Sequence, residues 1–267
     1  MADPPTSAAS SRSWTARAMA LDVLLVTKGH GFDYNGFYAM FDENPDLNTT
    51  QVEQPAAQVL LRPENVAVYD AVVFYDMIGM DGAPPSDDYR KSVESLLETG
   101  MGMVFMNHAL VQWWGWPLWR EIHGSSFMMR EGELNGRTAP RSAFRGGATQ
   151  RHRDVKHFLK VQDPTHPVLQ GLGDGFEVED EGYLRTDYLE DDPNIVPLLR
   201  SDYDWVQENF QLPGATPEEE ASWTHPPGTN LVAWAKRSGN SPVVATDEGD
   251  GPAAYGNPQF RRFLYNA

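Results

Sequence analysis

Cysteine is absent from this chain of 267 residues. Its absence excludes disulfide bonds, catalysis by a thiolate nucleophile, and zinc or iron–sulfur sites with cysteine ligands. The sequence also lacks a run of about 18 apolar residues, which a membrane-spanning helix requires. We therefore predict a cytoplasmic protein without a membrane partner, since a reducing compartment is compatible with a chain that has no cysteine.

Basic residues are scarce as well. The chain has 21 Lys and Arg against 38 Asp and Glu, which gives a formal net charge of −17. A chain with this balance has no basic surface that could neutralise phosphate groups, so we expect no nucleic-acid partner. The net charge does not identify a substrate, because surface acidity most often serves solubility.

Several familiar catalytic motifs are also missing. No G-x-S-x-G elbow follows a predicted strand, and no H-E-x-x-H string occurs. The glycine-rich stretch GDGPAAYG lacks the Gly-Lys-Ser/Thr ending of a phosphate-binding P-loop. The sequence therefore does not support an α/β-hydrolase triad, a zinc protease or a P-loop nucleotide site.

The chain is long enough for one large domain. Residues 1–20 are rich in Ala, Ser and Pro and lack the apolar segment of a signal peptide, so we predict a disordered leader. We predict a single α/β domain over residues 21–267. Within it, residues 201–229 form a long acidic insertion rich in proline, which we interpret as a lid or a rim. A homo-oligomer is compatible with the sequence.

Short apolar runs alternate with helical patterns in the first half of the chain. This alternation predicts a doubly wound α/β fold, a mostly parallel sheet with helices on both faces plus irregular loop insertions. The predicted strands are Leu21–Thr27, Asn48–Gln54, Tyr69–Asp76, Met103–Met106, Val155–Val161, Phe176–Asp180, Ile195–Arg200, Asn230–Ala235 and Pro242–Thr246. We predict a helix that begins after Ser86 and ends at Gly100, a final helix over Asn257–Ala267, and a loop over Gly132–Arg153.

Four predicted strand ends carry polar side chains: His30, Asp76, His108 and Asp250. The ends of parallel strands share one edge of a sheet, so residues far apart in sequence can converge there. Histidine is a natural general base near neutral pH and a common metal ligand. For His30 a backbone-bonding turn residue is the alternative, and for Asp76 we favour a structural role.

Two further segments carry candidate groups. Asn107 and His108 are followed by Trp113, Trp114, Trp116 and Trp119, which could form a stacking platform for a sugar or simply pack in the core. Asp180, Glu181 and Tyr183 follow another predicted strand, where a carboxylate pair can perform acid–base work or bind a metal. A solvated acidic turn is the alternative for this second segment.

Five features occur together in a fixed order along the chain: the strand into Lys28-Gly29-His30, the Asn107-His108-Ala109-Leu110 turn, the segment DPTHPV, Asp180-Glu181-x-Tyr183, and the ending GDGPAAYGNPQFRRFLYNA. From about Leu21 to the C-terminus they resemble the ThuA-like family, named for trehalose utilisation. The resemblance implies a flavodoxin-like fold related to class I glutamine amidotransferases. In those enzymes a nucleophilic cysteine lies near the position of His108, so glutaminase chemistry is excluded here.

One departure from the family pattern concerns the last strand. Many relatives carry Gly-His-Asp or Gly-His-Gly near it, whereas this chain has Gly249-Asp250-Gly251. That difference puts in doubt any mechanism that needs a third histidine. A carboxylate at this position could still bind a metal.

The resemblance implies an enzyme that acts on a sugar or keto-sugar by acid–base or metal-assisted hydrolysis, elimination or isomerisation. The alternative is a non-catalytic sugar-binding or regulatory module that uses the same crevice. The expected partner is a small carbohydrate, and a divalent metal ion is a possible cofactor. The predicted catalytic residues are His108, His30, Asp180 and Glu181; the predicted substrate-binding residues are Trp113, Trp116, Tyr183, Asn107 and Asp250; the candidate metal ligands are His30, His108 and Asp250.

Overall fold

The computed structural model of the protein describes residues 20–125, 127–134, 136–146, 153–186 and 190–267. The leader predicted over residues 1–20 therefore lies almost wholly outside the described residues. Within the described ranges, no helix is both long enough and apolar enough to cross a membrane.

A nine-stranded mixed sheet forms the centre of the fold, and two small two-stranded sheets flank it. The strands are β1 (Leu21–Lys28), β2 (Leu47–Glu53), β3 (Ala71–Asp76), β4 (Gly102–Met106), β5 (Gly132–Leu134), β6 (Arg137–Ala139), β7 (Ala143–Arg145), β8 (Val155–Val161), β9 (Gly175–Asp180), β10 (Gly182–Leu184), β11 (Val196–Ser201), β12 (Leu231–Ser238) and β13 (Ser241–Thr246). The order in the large sheet is β2-β1-β3-β4-β13-β12-β11-β8-β9.

The first five strands of this order are parallel, and the remaining strands extend the sheet with antiparallel pairs. With β13 as the fifth parallel strand, their order is the 2-1-3-4-5 order of flavodoxin-like folds. The predicted fold class is thereby confirmed. The antiparallel half adds β12, β11, β8 and β9 beyond that parallel unit.

Helices cover both faces of the sheet. They are α1 (Tyr34–Asp42), α2 (Ala57–Leu60), α3 (Pro63–Val66), α4 (Asp87–Thr99), α5 (Pro117–His123), α6 (Pro217–Ser222), α7 (Pro252–Tyr255) and α8 (Pro258–Asn266). Side chains of a strand alternate between faces, and β1 shows this directly. Val23 and Leu25 pack with α1, α7 and α8 in one core cluster, whereas Leu24 and Val26 pack with α4 and α5 in the other.

The ends of α4 follow the prediction from sequence. The Ser86 hydroxyl accepts a hydrogen bond from the Tyr89 amide, and two acidic residues in the first turn favour the helix dipole. Gly100 ends the helix with a left-handed φ of 82°, a conformation that glycine adopts without steric cost. Both predicted ends of this helix are confirmed.

The loop predicted over Gly132–Arg153 is wrong in part, because β5, β6 and β7 lie within it. These strands are three residues long, and they pair in small sheets outside the central one. Strands this short show no detectable alternation of apolar and polar residues. Within the insertion at 201–229, Trp205 and Phe210 stack with ring centroids 5.2 Å apart and are buried in the core.

The turn after β1 depends on Gly29. This residue has a φ of 93°, and a Cβ atom there would lie 1.8 Å from the Met77 carbonyl oxygen. We expect Gly29→Ala to lower the free energy of unfolding by about 2 kcal/mol or more, because both the backbone conformation and the contact forbid the methyl group. Urea unfolding followed by circular dichroism measures this change.

Gly31→Ala is the matched control, because a Cβ atom at Gly31 has no neighbour within 4 Å. Its effect should stay within about 0.5 kcal/mol. Equal stability of the two variants would contradict the proposed close packing at Gly29.

Candidate functional site at the carboxyl edge of the sheet

Three of the four polar strand ends converge. His30 follows β1, His108 follows β4, and Asp250 follows β13. The rings of His30 and His108 lie with centroids 4.1 Å apart, and the His108 Nδ1 atom lies 3.7 Å from an Asp250 carboxylate oxygen. The parallel register of these strands therefore brings together residues that are more than 200 positions apart in sequence.

Asp76 does not join this group. Its carboxylate is fully buried and accepts hydrogen bonds from the side-chain amides of Gln54 (2.9 Å) and Gln112 (2.8 Å). This placement agrees with the structural role that we favoured for it.

His108 lies between two carboxyl groups. Its Nε2 atom is 3.6 Å from a carboxyl oxygen of Glu181, whereas its Nδ1 atom is the one that faces Asp250. The preceding residue, Asn107, directly follows β4, has a left-handed φ of 47° and donates a side-chain hydrogen bond to the Asp247 carbonyl oxygen at 2.8 Å. This bond holds the turn that presents His108 against the loop after β13.

Burial shifts the two central groups in opposite directions. It lowers the pKa of His108 well below its ordinary value, and the neighbouring His30 adds to this effect. Burial also raises the pKa of Glu181 well above its ordinary value, with a further contribution from the charge of Asp250. The histidine therefore favours its neutral form and the glutamic acid its protonated form.

Asp180 supports the site by binding the loop after β13. Its carboxylate accepts hydrogen bonds from the backbone amides of Gly249 (2.6 Å) and Asp250 (3.0 Å). β9 lies four places from β13, so a flat sheet would separate these segments by about 19 Å. The antiparallel half of the sheet must therefore curl back to meet the loop after β13. This placement favours a positioning role for Asp180 over the predicted catalytic role.

Two tyrosine hydroxyls support the segment that carries Asp250. The Tyr75 and Tyr255 hydroxyls are 2.6 Å apart, and Tyr255 donates to the Asp250 carbonyl oxygen at 2.8 Å. The Nε2 atom of His30 lies 3.0 Å from the Tyr75 carbonyl oxygen, and burial lowers the pKa of this histidine. Sequence reasoning missed both tyrosines, although Tyr255 lies in the GDGPAAYG stretch.

A cavity of about 200 Å³ opens beside His108 and Glu181. Its other lining residues are apolar or aromatic and come from four regions: the segment after β3, the segment from Val111 to Phe144, β10, and the insertion. They are Met77, Met80, Val111, Phe127, Met129, Phe144, Tyr183 and Pro213. Most of them were missed, and one of these, Phe144, lies in the stretch Gly132–Arg153 that we predicted to be a loop. Pro213 agrees with our interpretation of the insertion as a rim.

The predicted tryptophan platform is not at this cavity. Trp113 and Trp116 are 8% and 6% exposed and belong to the core cluster beneath α4 and α5. Trp113 packs against Gly79, and Trp116 stacks on Trp119 at 5.8 Å. The turn after His108 directs these rings back into the core, so their placement favours packing over sugar binding. Tyr183, in contrast, does line the cavity.

A second layer of buried charge lies behind the loop after β13. Arg185 forms a buried ion pair with Asp247, and its guanidinium also donates to the Leu231 carbonyl oxygen. A carboxyl oxygen of the neighbouring Glu248 lies 3.4 Å from the Nε2 atom of His157. Burial raises the pKa of Asp247 to about 7, although Arg185 acts in the opposite direction. No sequence pattern indicated this layer.

Three side chains could together hold a metal ion. His108, Glu181 and Asp250 each offer one ligand atom, and these atoms lie within 4.8 Å of one another. One Glu181 oxygen has no hydrogen-bond partner among the described residues. One nitrogen and two carboxylate oxygens suit zinc or manganese. The predicted ligand His30 is outside this set, because its Nε2 atom already faces the Tyr75 carbonyl oxygen.

The fold and the site define an α/β protein with a histidine–carboxylate centre at the carboxyl edge of a flavodoxin-like sheet. The family model of ThuA, described as trehalose utilisation, matches residues 22–267. The chain therefore belongs to the ThuA family, as the sequence resemblance predicted. No curated protein matches the sequence.

Solved structures agree on the fold. A protein described as ThuA-like from Bacteroides uniformis ATCC 8492 has a TM-score of 0.62 at 15% identity, covering 99% of this chain and 94% of that one. A second ThuA-like protein, from Parabacteroides merdae ATCC 43184, has a TM-score of 0.62 at 17% identity, with coverages of 92% and 88%. A cytoplasmic protein from Salmonella typhimurium has a TM-score of 0.51 at 10% identity, with coverages of 92% and 97%.

Asp76 gives a pH-dependent prediction. Burial raises its pKa to about 6, against about 3.9 in an unfolded chain. The folded protein therefore binds this proton more tightly, and stability is lost as the pH rises from 4 to 6. We expect Asp76→Asn to gain about 3 kcal/mol relative to the wild type between pH 4 and pH 7. Urea unfolding at several pH values measures this difference.

Asp174→Asn changes an exposed carboxylate in the turn before β9 and serves as the control. Its stability relative to the wild type should vary little with pH. If the difference in stability between Asp76→Asn and the wild type did not change with pH, the raised pKa of Asp76 would be contradicted.

Proposed function

We propose that the protein is an enzyme of carbohydrate metabolism that acts on a sugar or keto-sugar derivative by acid–base chemistry. The observation that carries this proposal is the pairing of His108 with Glu181 beside a cavity. Two titratable groups whose environments favour a neutral base and a protonated acid form an acid–base pair. Membership of a family described by trehalose utilisation supports a carbohydrate as the substrate.

The chemistry that suits this pair best is an elimination from a keto-glycoside. The neutral His108 removes the proton from the carbon next to the ketone, and that electron pair forms a carbon–carbon double bond. The bond to the glycosidic oxygen breaks, and Glu181 gives its proton to the leaving oxygen. Water addition to the product would complete a hydrolysis. If the glycosidic bond stayed intact after the proton removal, return of the proton to a different atom of the resulting enolate would be an isomerisation. Each acid–base group typically contributes about 10²–10⁴-fold to the rate.

Neighbouring residues have supporting roles in this proposal. Asp250 lies beside the Nδ1 atom of His108, where a carboxylate orients the ring and stabilises the positive charge that develops on it. The His30 ring lies against the His108 ring at an angle of 36° and limits the space on that face. Asn107 and the Tyr183 hydroxyl both favour the ionised form of Glu181 and so help it to release its proton.

The experiment that tests this function compares turnover of 3-keto-glycosides and their parent glycosides by the wild type, His108→Ala and Glu181→Gln. We expect the wild type to convert a keto-glycoside and each variant to lose about 10²-fold or more in kcat. Glu177→Gln, an exposed glutamate on β9, is the matched control and should retain full activity.

An inactive wild type that still binds these sugars would favour the alternative, a non-catalytic sugar-binding or regulatory module. Full activity of His108→Ala would contradict the acid–base assignment. The proposal includes a small carbohydrate as the partner and the cytoplasm as the location.

A metal-assisted form of the reaction is the second candidate, because His108, Glu181 and Asp250 lie close enough to share an ion. A divalent ion bound there would act as a Lewis acid on a substrate oxygen. We expect the wild type to bind Zn²⁺ or Mn²⁺ in calorimetric titrations, and Asp250→Asn to bind the same ion at least tenfold more weakly. Glu177→Gln should bind like the wild type, and equal affinity of all three proteins would exclude this site.

A further inference from the structure

We infer that the cavity beside His108 holds an aromatic aglycone, so that the substrate is an aryl glycoside or its keto derivative. This inference rests on the proposed function, because it assigns the group that leaves when Glu181 donates its proton. It departs from a disaccharide substrate, in which both halves are polar sugars.

The first argument is the scarcity of hydrogen-bonding groups in the cavity. Among its described lining residues, only His108, Glu181 and Tyr183 bring polar side-chain atoms. A pyranose ring carries a hydroxyl on nearly every ring carbon, and a buried hydroxyl without a partner costs free energy. Three polar side chains cannot pair with every hydroxyl of an unmodified sugar, whereas an aromatic ring makes no such demand.

The second argument is the kind of apolar surface. Met77, Met80 and Met129 contribute flexible thioether side chains, which make favourable contacts with aromatic rings. Phe127 lies edge-on to the Tyr183 ring, with centroids 5.2 Å apart, and aromatic rings prefer this geometry and its offset-stacked counterpart. A volume of about 200 Å³ is below the range for drug-sized ligands and suits a single ring.

The third argument is the distribution of polar groups around His108. Asp250 and His30 contact the His108 ring but do not line the cavity. These two polar side chains are therefore outside the cavity and can pair with the hydroxyls of a sugar, while Glu181 lines the cavity together with the apolar residues. A glycoside with its sugar toward Asp250 and its aglycone in the cavity places the glycosidic oxygen beside Glu181.

The test measures binding of phenyl glucoside, methyl glucoside and trehalose, each titrated into protein labelled with ¹³C at the methionine methyl groups. We expect phenyl glucoside to shift the Met77, Met80 and Met129 signals and to bind about tenfold or more tightly than methyl glucoside. Methyl glucoside and trehalose should leave these three signals unchanged.

Met129→Gln places a polar group of similar length in the cavity wall and should remove most of the preference for phenyl glucoside. Met101→Gln alters a partly buried methionine at the opposite end of β4 and should leave that preference unchanged. Trehalose binding as tight as phenyl glucoside binding, or no shift of the three cavity methionines with any of these ligands, would overturn the inference.

Because binding needs no turnover, the two proposals can fail separately. An inactive protein that prefers phenyl glucoside keeps this inference and overturns only the proposed function. An active protein with no preference for the phenyl group keeps the proposed function and overturns this inference.

Discussion

The hydrogen bonds from the backbone amides of Gly249 and Asp250 to the Asp180 carboxylate hold the site together. They join the end of β9 to the loop after β13, although three strands lie between β9 and β13 in the sheet. Glu181 is the next residue in the chain, so the same contact carries it to His108. Without this closure the parallel half of the sheet would present His30, His108 and Asp250, but Glu181 would not reach His108.

Burial then gives the assembled groups their chemical character. A buried histidine favours its neutral form and a buried carboxylic acid its protonated form, because each sheds the charge that a low-dielectric environment disfavours. The same physical effect thus produces a base and an acid side by side at His108 and Glu181. Because the curl of the sheet brings Glu181 to His108, it also prepares this pair for proton transfer.

Much of the fold was predictable because its signals are local. Apolar runs identified most central strands of the large sheet, Thr and Val character identified β2, and Ser86 and Gly100 identified the ends of α4. The three short strands between Gly132 and Arg145 were not predictable, since strands of three residues show no periodicity. For that reason Phe144 on β7, which lines the cavity, had no signal in the sequence.

The sequence by itself determined the parallel half of the sheet, the absence of a thiol nucleophile and the polar residues at the strand ends. Those features depend on residue type and on short-range pattern. Only the tertiary structure decided that Asp180 bonds backbone while Glu181 faces His108, and that Trp113 and Trp116 pack in the core. Neighbours along the chain point in different directions, and which of them reaches the site depends on how distant strands curve and pair.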